Sequence, residues 1–407
     1  MKILGVAKAA LYGIFLNYYC YYVLQGSFIP RGTVLFFGVA CLGVGADILQ
    51  RRYVHVGKEI KSWILYALFS VVTTALITTG SSVGFIEDIA KFVQRLMIIM
   101  MVAYICEREG SIRFGLRLMA VTAVAAAISI LMVTEDIRLK LSLTTEANLS
   151  ANDIGALMAF GCFAVMFAWG KRGKSSLYLA ALKTAGFICC VIVIFLAGSR
   201  KSIIAVVIML VLLLLLCLRN SVNNVSLKRF FVVLLVSAAA YWVITEYLLQ
   251  YAEQTNLYGR LFGDNAAGAA DSDQGRIRLY VLALEDFAAH PLFGLGFNQY
   301  VKYHGNYTHS TYAEPLACSG LIGLFYLYPY FSMLRKQVYL IRRNKPGSLA
   351  RLKQKEIFTY LCMALFIGVG IPYMYKDIPC ILLGTIIASQ TISFRELGER
   401  GYTSADY

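Results

Sequence analysis

Apolar runs of about twenty residues recur along the whole chain, each closed by a short polar segment. A helix rises about 1.5 Å per residue, so runs of this length match a hydrocarbon core about 30 Å thick. They predict twelve spans, at residues 5–24, 32–50, 62–80, 89–106, 113–133, 152–170, 177–197, 202–218, 230–248, 311–334, 356–375 and 378–394. Barrel strands would be shorter and would alternate in polarity. The pattern therefore predicts an all-α, polytopic integral membrane protein with about twelve transmembrane helices, forming one membrane domain over residues 1–407. The first run, "AALYGIFLNYYCYYVL", lacks a small-residue cleavage site and reads as a first span.

Two polar stretches interrupt this pattern, at 134–151 and 249–310. The second is about 60 residues long, far beyond an ordinary connection. Within it, "QGRIRLYVLALEDFAAH" sets Ile277, Tyr280, Val281, Leu284 and Phe287 at helical spacing. That predicts an amphipathic helix lying at a membrane surface. Pro291, Gly294 and Gly296 in "HPLFGLGFNQY" then break it.

Composition agrees: 59% of residues are hydrophobic, 15% are charged, and mean hydropathy is +0.65. The net charge of +15 would raise nucleic acid as a partner, but its distribution argues otherwise. With both termini in the cytoplasm, 25 of the 38 Lys and Arg fall on inner segments and 11 on outer ones. That is the asymmetry that orients a membrane protein. It puts the loop 249–310 outside the membrane and implies no nucleic acid partner. The ten cysteines lie in predicted spans without CxxC or Cys/His spacing and read as small packing residues. No metal or cofactor motif is visible.

This topology gathers a polar set on the outer side. Arg200 and Lys201 mark the turn "AGSRKS" between spans seven and eight, and Arg276 and Arg278 lie on the surface helix. His304 and His309 precede span ten, Asn152 and Asp153 open span six, and Glu314 lies one turn into span ten. Each has a plain reading. An arginine at a span end snorkels to headgroups, an Asn or Asp caps a helix, and a histidine at an interface packs. Two adjacent cations outside run against the charge asymmetry, however, and an acid within a span usually lines a cavity or meets a cation. Together the set points to phosphate: guanidinium forks grip phosphate oxygens, and a histidine beside them serves as a general base. A membrane-embedded cavity suits a lipid-borne substrate.

Three segments resemble the O-antigen ligase and O-antigen polymerase superfamily. They are "GSRKS", "GRIRLYVLALEDFAAHPLFGLGFNQY" and "HSTYAEPLACSGLIGL", with "SANDIGALMAF" a weaker fourth. They match a Ser-Arg turn, a Gly-Arg helix with His-Pro-x-x-Gly-x-Gly, and a His-Ser span start ending in Gly-x-x-Gly. Cys318 and Ser319 stand where that family often has an acid, and Ala151 where it often has proline. The resemblance implies an undecaprenyl-pyrophosphate-linked saccharide as donor, at the outer face of a bacterial plasma membrane. Its glycan would pass to an acceptor hydroxyl with inversion and without a metal. His309 would activate the hydroxyl. Arg200 and Arg276 would bind the pyrophosphate, with Arg278, Lys201, Asn152 and Glu314 as further substrate contacts. Polymerisation of repeat units for capsule, exopolysaccharide or O-antigen is expected over ligase-type transfer to another acceptor, and a chain-length regulator is a candidate partner. A transporter or flippase of a lipid-linked oligosaccharide is the rival from another class. It would show repeat symmetry and midplane charges, whereas this polar set sits at one face.

Overall fold

A computed structural model describes residues 2–23, 31–51, 56–77, 83–133, 150–169, 177–220 and 266–399, and no strand occurs among them. The first helices are α1 (Lys2–Val23), α2 (Gly32–Arg51), α3 (Lys58–Ile77), α4 (Val83–Arg108) and α5 (Arg113–Val133). There follow α6 (Ala151–Phe167), α7 (Leu177–Ala197), α8 (Arg200–Asn220) and α9 (Ala266–Ala289). The last are α10 (Tyr300–His304), α11 (Ala313–Ser319), α12 (Gly323–Arg343), α13 (Leu349–Gly368) and α14 (Ile378–Glu399).

By length and apolarity, seven helical stretches among the described residues can cross a bilayer: α2, α3, most of α4, α5, α7, the α11–α12 unit and α14. The apolar parts of α1 and α6 are shorter. The expected ninth span, 230–248, lies outside the described residues, as do residues 249–265 of the long loop.

One expected span holds a break within it, and another is corrected. The tenth, read as one run over 311–334, is broken into α11 and α12 by a 3-10 turn, Gly320–Ile322. Gly320 has a φ of 58° and lies against the carbonyl of Pro291, and Gly323 against that of Pro315. A side chain at either glycine would collide with backbone, so the break lets "HPLFGLG" dock onto α11 main chain to main chain. The N–H groups of Leu295, Gly296 and Leu321 donate to the carbonyls of Ala317, Cys318 and Pro291, at 3.0, 2.8 and 2.8 Å. The eleventh span, expected to run to residue 375, ends at Gly368. Pro372 has no N–H to continue a helix and disfavours helical geometry in the residue before it. Residues 369–377 instead form a loop with a single 3-10 turn, Tyr373–Tyr375.

The bundle closes through small residues, as lipid-embedded helices do. Gly161 of α6 meets Ala123 of α5, and Gly384 of α14 meets the Ile99 carbonyl and Val102 of α4. Helix α6 is buried almost throughout, from Asp153 to Val165, and packs on α5, α7, α8 and α13. Its Phe163 stacks on Tyr360 of α13 with ring centroids 4.2 Å apart.

The expected amphipathic helix over 274–290 is present within α9. Ile277, Val281 and Leu284 are exposed along one face, while Leu279, Leu282 and Ala283 pack on Tyr300, Ala317 and Cys318. Tyr280 turns inward, its hydroxyl donating to the Val369 carbonyl at 2.7 Å.

Candidate functional site

The polar set converges where α6 and α8 begin and α13 ends. The "GSRKS" turn is tight: Gly198, at φ 63°, closes α7, and the Ser199 and Ser202 hydroxyls lie 2.8 Å apart. Both serines sit against Gly155, one turn into α6. The first turn of α8, carrying Arg200 and Lys201, is thus held beside the first turn of α6. There Ser150 caps the helix and forms a capping box with Asp153.

His309 stands at the apex of the short loop before α11. Its φ is 58°, a region that a residue with a Cβ adopts only when its surroundings impose it. Those surroundings are explicit. The Thr308 N–H donates to Glu314 Oε2 at 2.6 Å, and the Ser310 Oγ accepts from the N–H groups of Tyr312 and Ala313 at 3.2 and 3.3 Å. The Thr311 N–H donates to the Gly368 carbonyl at 2.8 Å, while its hydroxyl donates to the Ile371 carbonyl. The loop is pinned on both sides of the histidine, and the half-buried imidazole lies 4.3 Å from the Tyr307 ring, centroid to centroid.

Three cations from three elements act on this imidazole: Arg276 from α9, Lys201 from α8, and Lys376 from the 369–377 loop. Burial, and after it the repulsion from these charges, lowers its pKa from an ordinary 6.5 to about 4. His309 is therefore neutral at physiological pH. Burial likewise raises the Tyr307 phenol, which also feels Lys376, Asp153, Glu314 and Arg276.

The 369–377 loop joins these elements. Gly370 leaves room for Lys201, whose Cε lies 2.8 Å from where a Cβ would stand. Lys376 Nζ is 2.8 Å from Asp153 Oδ2 and 5.8 Å from the centre of the Tyr307 ring. The Tyr375 hydroxyl donates to Glu314 Oε1 at 3.1 Å. Asp377 accepts from Arg95 Nε at 2.7 Å, and Arg95 also donates to the Met374 carbonyl at 3.1 Å.

The fold divides the residues singled out in the sequence. His309, Arg276 and Lys201 come together. Arg200 opens α8 beside Lys201 but is not among the charges acting on His309. Arg278 is exposed, two residues and so about 200° round α9 from Arg276. Asn152 is half-buried, while its neighbour Asp153 is buried and paired with Lys376. Glu314 is fully buried beneath the loop, on Thr308 and Tyr375. His304 is bound away from the cluster, 2.7 Å from Asp286 Oδ2. His290 is exposed at the end of α9. Sequence reasoning overlooked Lys376, Tyr307 and Tyr375. The sequence does hold one signal for Lys376, a Lys-Asp pair on a turn expected outside the membrane, where the charge asymmetry disfavours a cation. Among the described residues no group of three or more His, Cys, Asp or Glu is placed to hold a metal ion.

No curated protein matches the chain. The O-Antigen ligase family matches residues 185–328, from within α7 into α12. That segment carries Arg200, Lys201, Arg276, Arg278, His309 and Glu314, together with the glycines that dock "HPLFGLG" onto α11. That domain, set here in a bundle of apolar helices, supports a likeness to the O-antigen ligase and polymerase superfamily.

Proposed function

We propose that the protein transfers a glycan from an undecaprenyl-pyrophosphate-linked donor to an acceptor hydroxyl at the outer face of the plasma membrane, extending a polysaccharide one repeat unit at a time. The observation that carries this reading is a neutral histidine held among Lys201, Arg276 and Lys376. A site rich in cations and fronted by an imidazole that keeps its lone pair suits an anionic leaving group and a hydroxyl nucleophile.

In this mechanism Arg276 grips the pyrophosphate through its fork, and Lys201 adds charge, with Arg200 on the same turn of α8. Arg278 contacts the donor from the more exposed side of α9, and Asn152 lies beside the sugar. Glu314 acts from below, fixing the His309 loop through Thr308. His309 takes the proton of the acceptor hydroxyl, whose oxygen attacks the anomeric carbon as the bond to the pyrophosphate oxygen breaks. The lipid pyrophosphate leaves with the electron pair, and attack from the opposite face inverts the centre. Charge growing on the leaving group meets fixed cations, the kind of effect that supplies most of a barrier reduction. Positive character at the anomeric carbon resembles other glycosyl chemistry.

The cations have a second consequence. A pyrophosphate among them offsets the charges that add to burial in depressing His309, so donor binding moves the imidazole upward from about 4 while burial still holds it down. A base near the working pH is the effective one. Donor binding would thus both deliver the electrophile and strengthen the base.

The test is transfer by purified protein with donor lipid and no ion gradient. Release of undecaprenyl pyrophosphate together with a longer lipid-linked glycan supports polymerisation. Growth only on a different envelope acceptor would mean ligase-type transfer, and donor movement without bond cleavage would mean a transporter. Orientation is tested by single cysteines at Asn298 and Lys345, expected to label from opposite sides of the membrane. Labelling of both from outside would overturn the topology, and the site's side with it.

A further inference from the structure

We propose that Lys376 is a further contact of the donor pyrophosphate and that Asp153 competes with the pyrophosphate for its ammonium group. Lys376 and Asp153 both lie outside the segment that matches the O-antigen ligase family. The inference deepens the donor reading and rests on it.

The backbone at Lys376 is extended, with φ −126° and ψ 141°. Its neighbours are tied down, Tyr375 to Glu314 and Asp377 to Arg95, so the main chain at Lys376 is held from both directions. The Lys376 side chain reaches Asp153 and the Tyr307 ring. A lysine is a point charge on a four-carbon stem. Fixed at its root, it can exchange one anion for another without moving the loop.

Asp153 can release it. Its Oδ2 accepts not only from Lys376 Nζ but also from the Ser150 N–H and the Ser150 hydroxyl, both at 2.9 Å. It stands at the third position of α6, where the helix terminus favours a negative charge. With Lys376 gone, this carboxylate keeps two donors and a favourable field. The Lys376–Asp153 pair is therefore poorly explained as a need of Asp153. It is better explained as a place that holds a mobile cation beside His309.

The test uses full-length protein in lipid nanodiscs, with undecaprenyl pyrophosphate and undecaprenyl monophosphate as probes. Lys376→Ala is expected to weaken pyrophosphate binding by about tenfold and monophosphate binding by less. Asp153→Asn keeps an acceptor for Ser150 and is expected to tighten pyrophosphate binding severalfold. That gain must vanish in the double variant, because the cycle isolates the coupling between the two side chains. A pair that only joins α6 to the loop predicts losses of the same sign in both single variants, and that result overturns the proposal. Equal tightening by Asp153→Asn with and without Lys376 also overturns it, since Asp153 would then be merely a nearby negative charge. Lys376→Arg preserves charge and pairing, and thermal unfolding of each variant controls for folding. If Lys376→Ala does not fold, the sign of the Asp153→Asn effect decides. Arg276→Ala separates the two readings. If it weakens binding and Lys376→Ala does not, only the present proposal falls. If neither does, the pyrophosphate reading falls too.

Discussion

Among the described residues the two ends of the bundle both hold ion pairs, but only one of them gathers cations about a histidine. At the end where α1 and α3 begin and α2 and α4 finish, cations meet acids. Asp47 accepts from the Tyr104 hydroxyl at 2.7 Å and lies 3.6 Å from both Arg51 and Arg108. Glu59 pairs with Lys336 at 2.7 Å and accepts from Ser332, and Lys8 pairs with Glu109. At the other end Lys201, Arg276 and Lys376, from three elements, act together on a neutral histidine, and Lys376 lies 2.8 Å from Asp153. Pairs at the first end join helices. Under the proposed function, the charge beside the depressed histidine meets the donor's pyrophosphate.

The largest effect that should separate the ends comes from His309→Asn. Asparagine tolerates the left-handed backbone that His309 adopts, so the loop should keep its shape while the base is lost. Transfer should fall by about 10²-fold or more, with donor binding retained. Full turnover would remove His309 from the mechanism, and lost donor binding would make it a substrate contact. At the opposite end, Asp47→Asn should cost about 1–3 kcal/mol of stability by thermal unfolding, with transfer per folded molecule unchanged. An activity loss there as large as at His309 would erase the distinction between the ends.

Arg276→Lys keeps the charge and loses the fork, and should lower transfer by about tenfold or more. The same change at Arg278, on the exposed side of α9, should have a smaller effect. Equal effects would place both arginines at the donor or neither.

The pH response sharpens the comparison further. The free-protein imidazole titrates near 4, and a bound pyrophosphate should move it upward. The acid limb of kcat/KM, which reports the free protein, should therefore lie at lower pH than that of kcat. Coincident limbs would mean that the donor does not face His309. Stability carries the same signature. The folded pKa is depressed below the unfolded 6.5, so the unfolded chain binds the proton more readily between the two values. The contribution is fully present above about 6.5 and is lost as pH falls toward 4. His309→Asn should flatten the stability curve over that window, and an unchanged curve would contradict the depressed value.

Gly370→Ala should have the smallest effect. The added methyl would press first on the Lys201 ammonium group and then on its stem, the far end of a flexible side chain that can step aside. Folding should survive while transfer drops a few-fold. No change would mean that Lys201 reaches the site by another path.

Much of this was legible in one dimension. Runs of apolar residues are forced by a medium that solvates no backbone polar groups, so the helical class and most spans could be read directly. The amphipathic helix announced itself through Ile277, Val281 and Leu284, which are exposed on α9. The "GSRKS" turn and the glycines of "HPLFGLG" and "SGLIG" were visible because each tight local geometry demands a small residue, and His309 because of the chemistry an imidazole offers beside arginines. The family match spans these same segments.

What the linear order could not carry was pairing across the bundle. Residues 356–375 read as one apolar span because Pro372 and two glycines are a weak punctuation inside a greasy run. The fold instead ends α13 at Gly368 and makes the loop 369–377 the hub of the site. Asn152 and Asp153 are equivalent polar residues at a helix start until the neighbours are known, and Lys376 decides between them from 223 positions away. Arg276 and Arg278 differ only in which face of α9 turns toward His309. The sequence by itself determined the helices, their membrane character and the chemical types available, because these follow from local propensity and from the solvent. Only the tertiary structure decided which cations share a space with His309, because a Coulombic field depends on distance in three dimensions and on burial, and neither is written in the spacing along a chain.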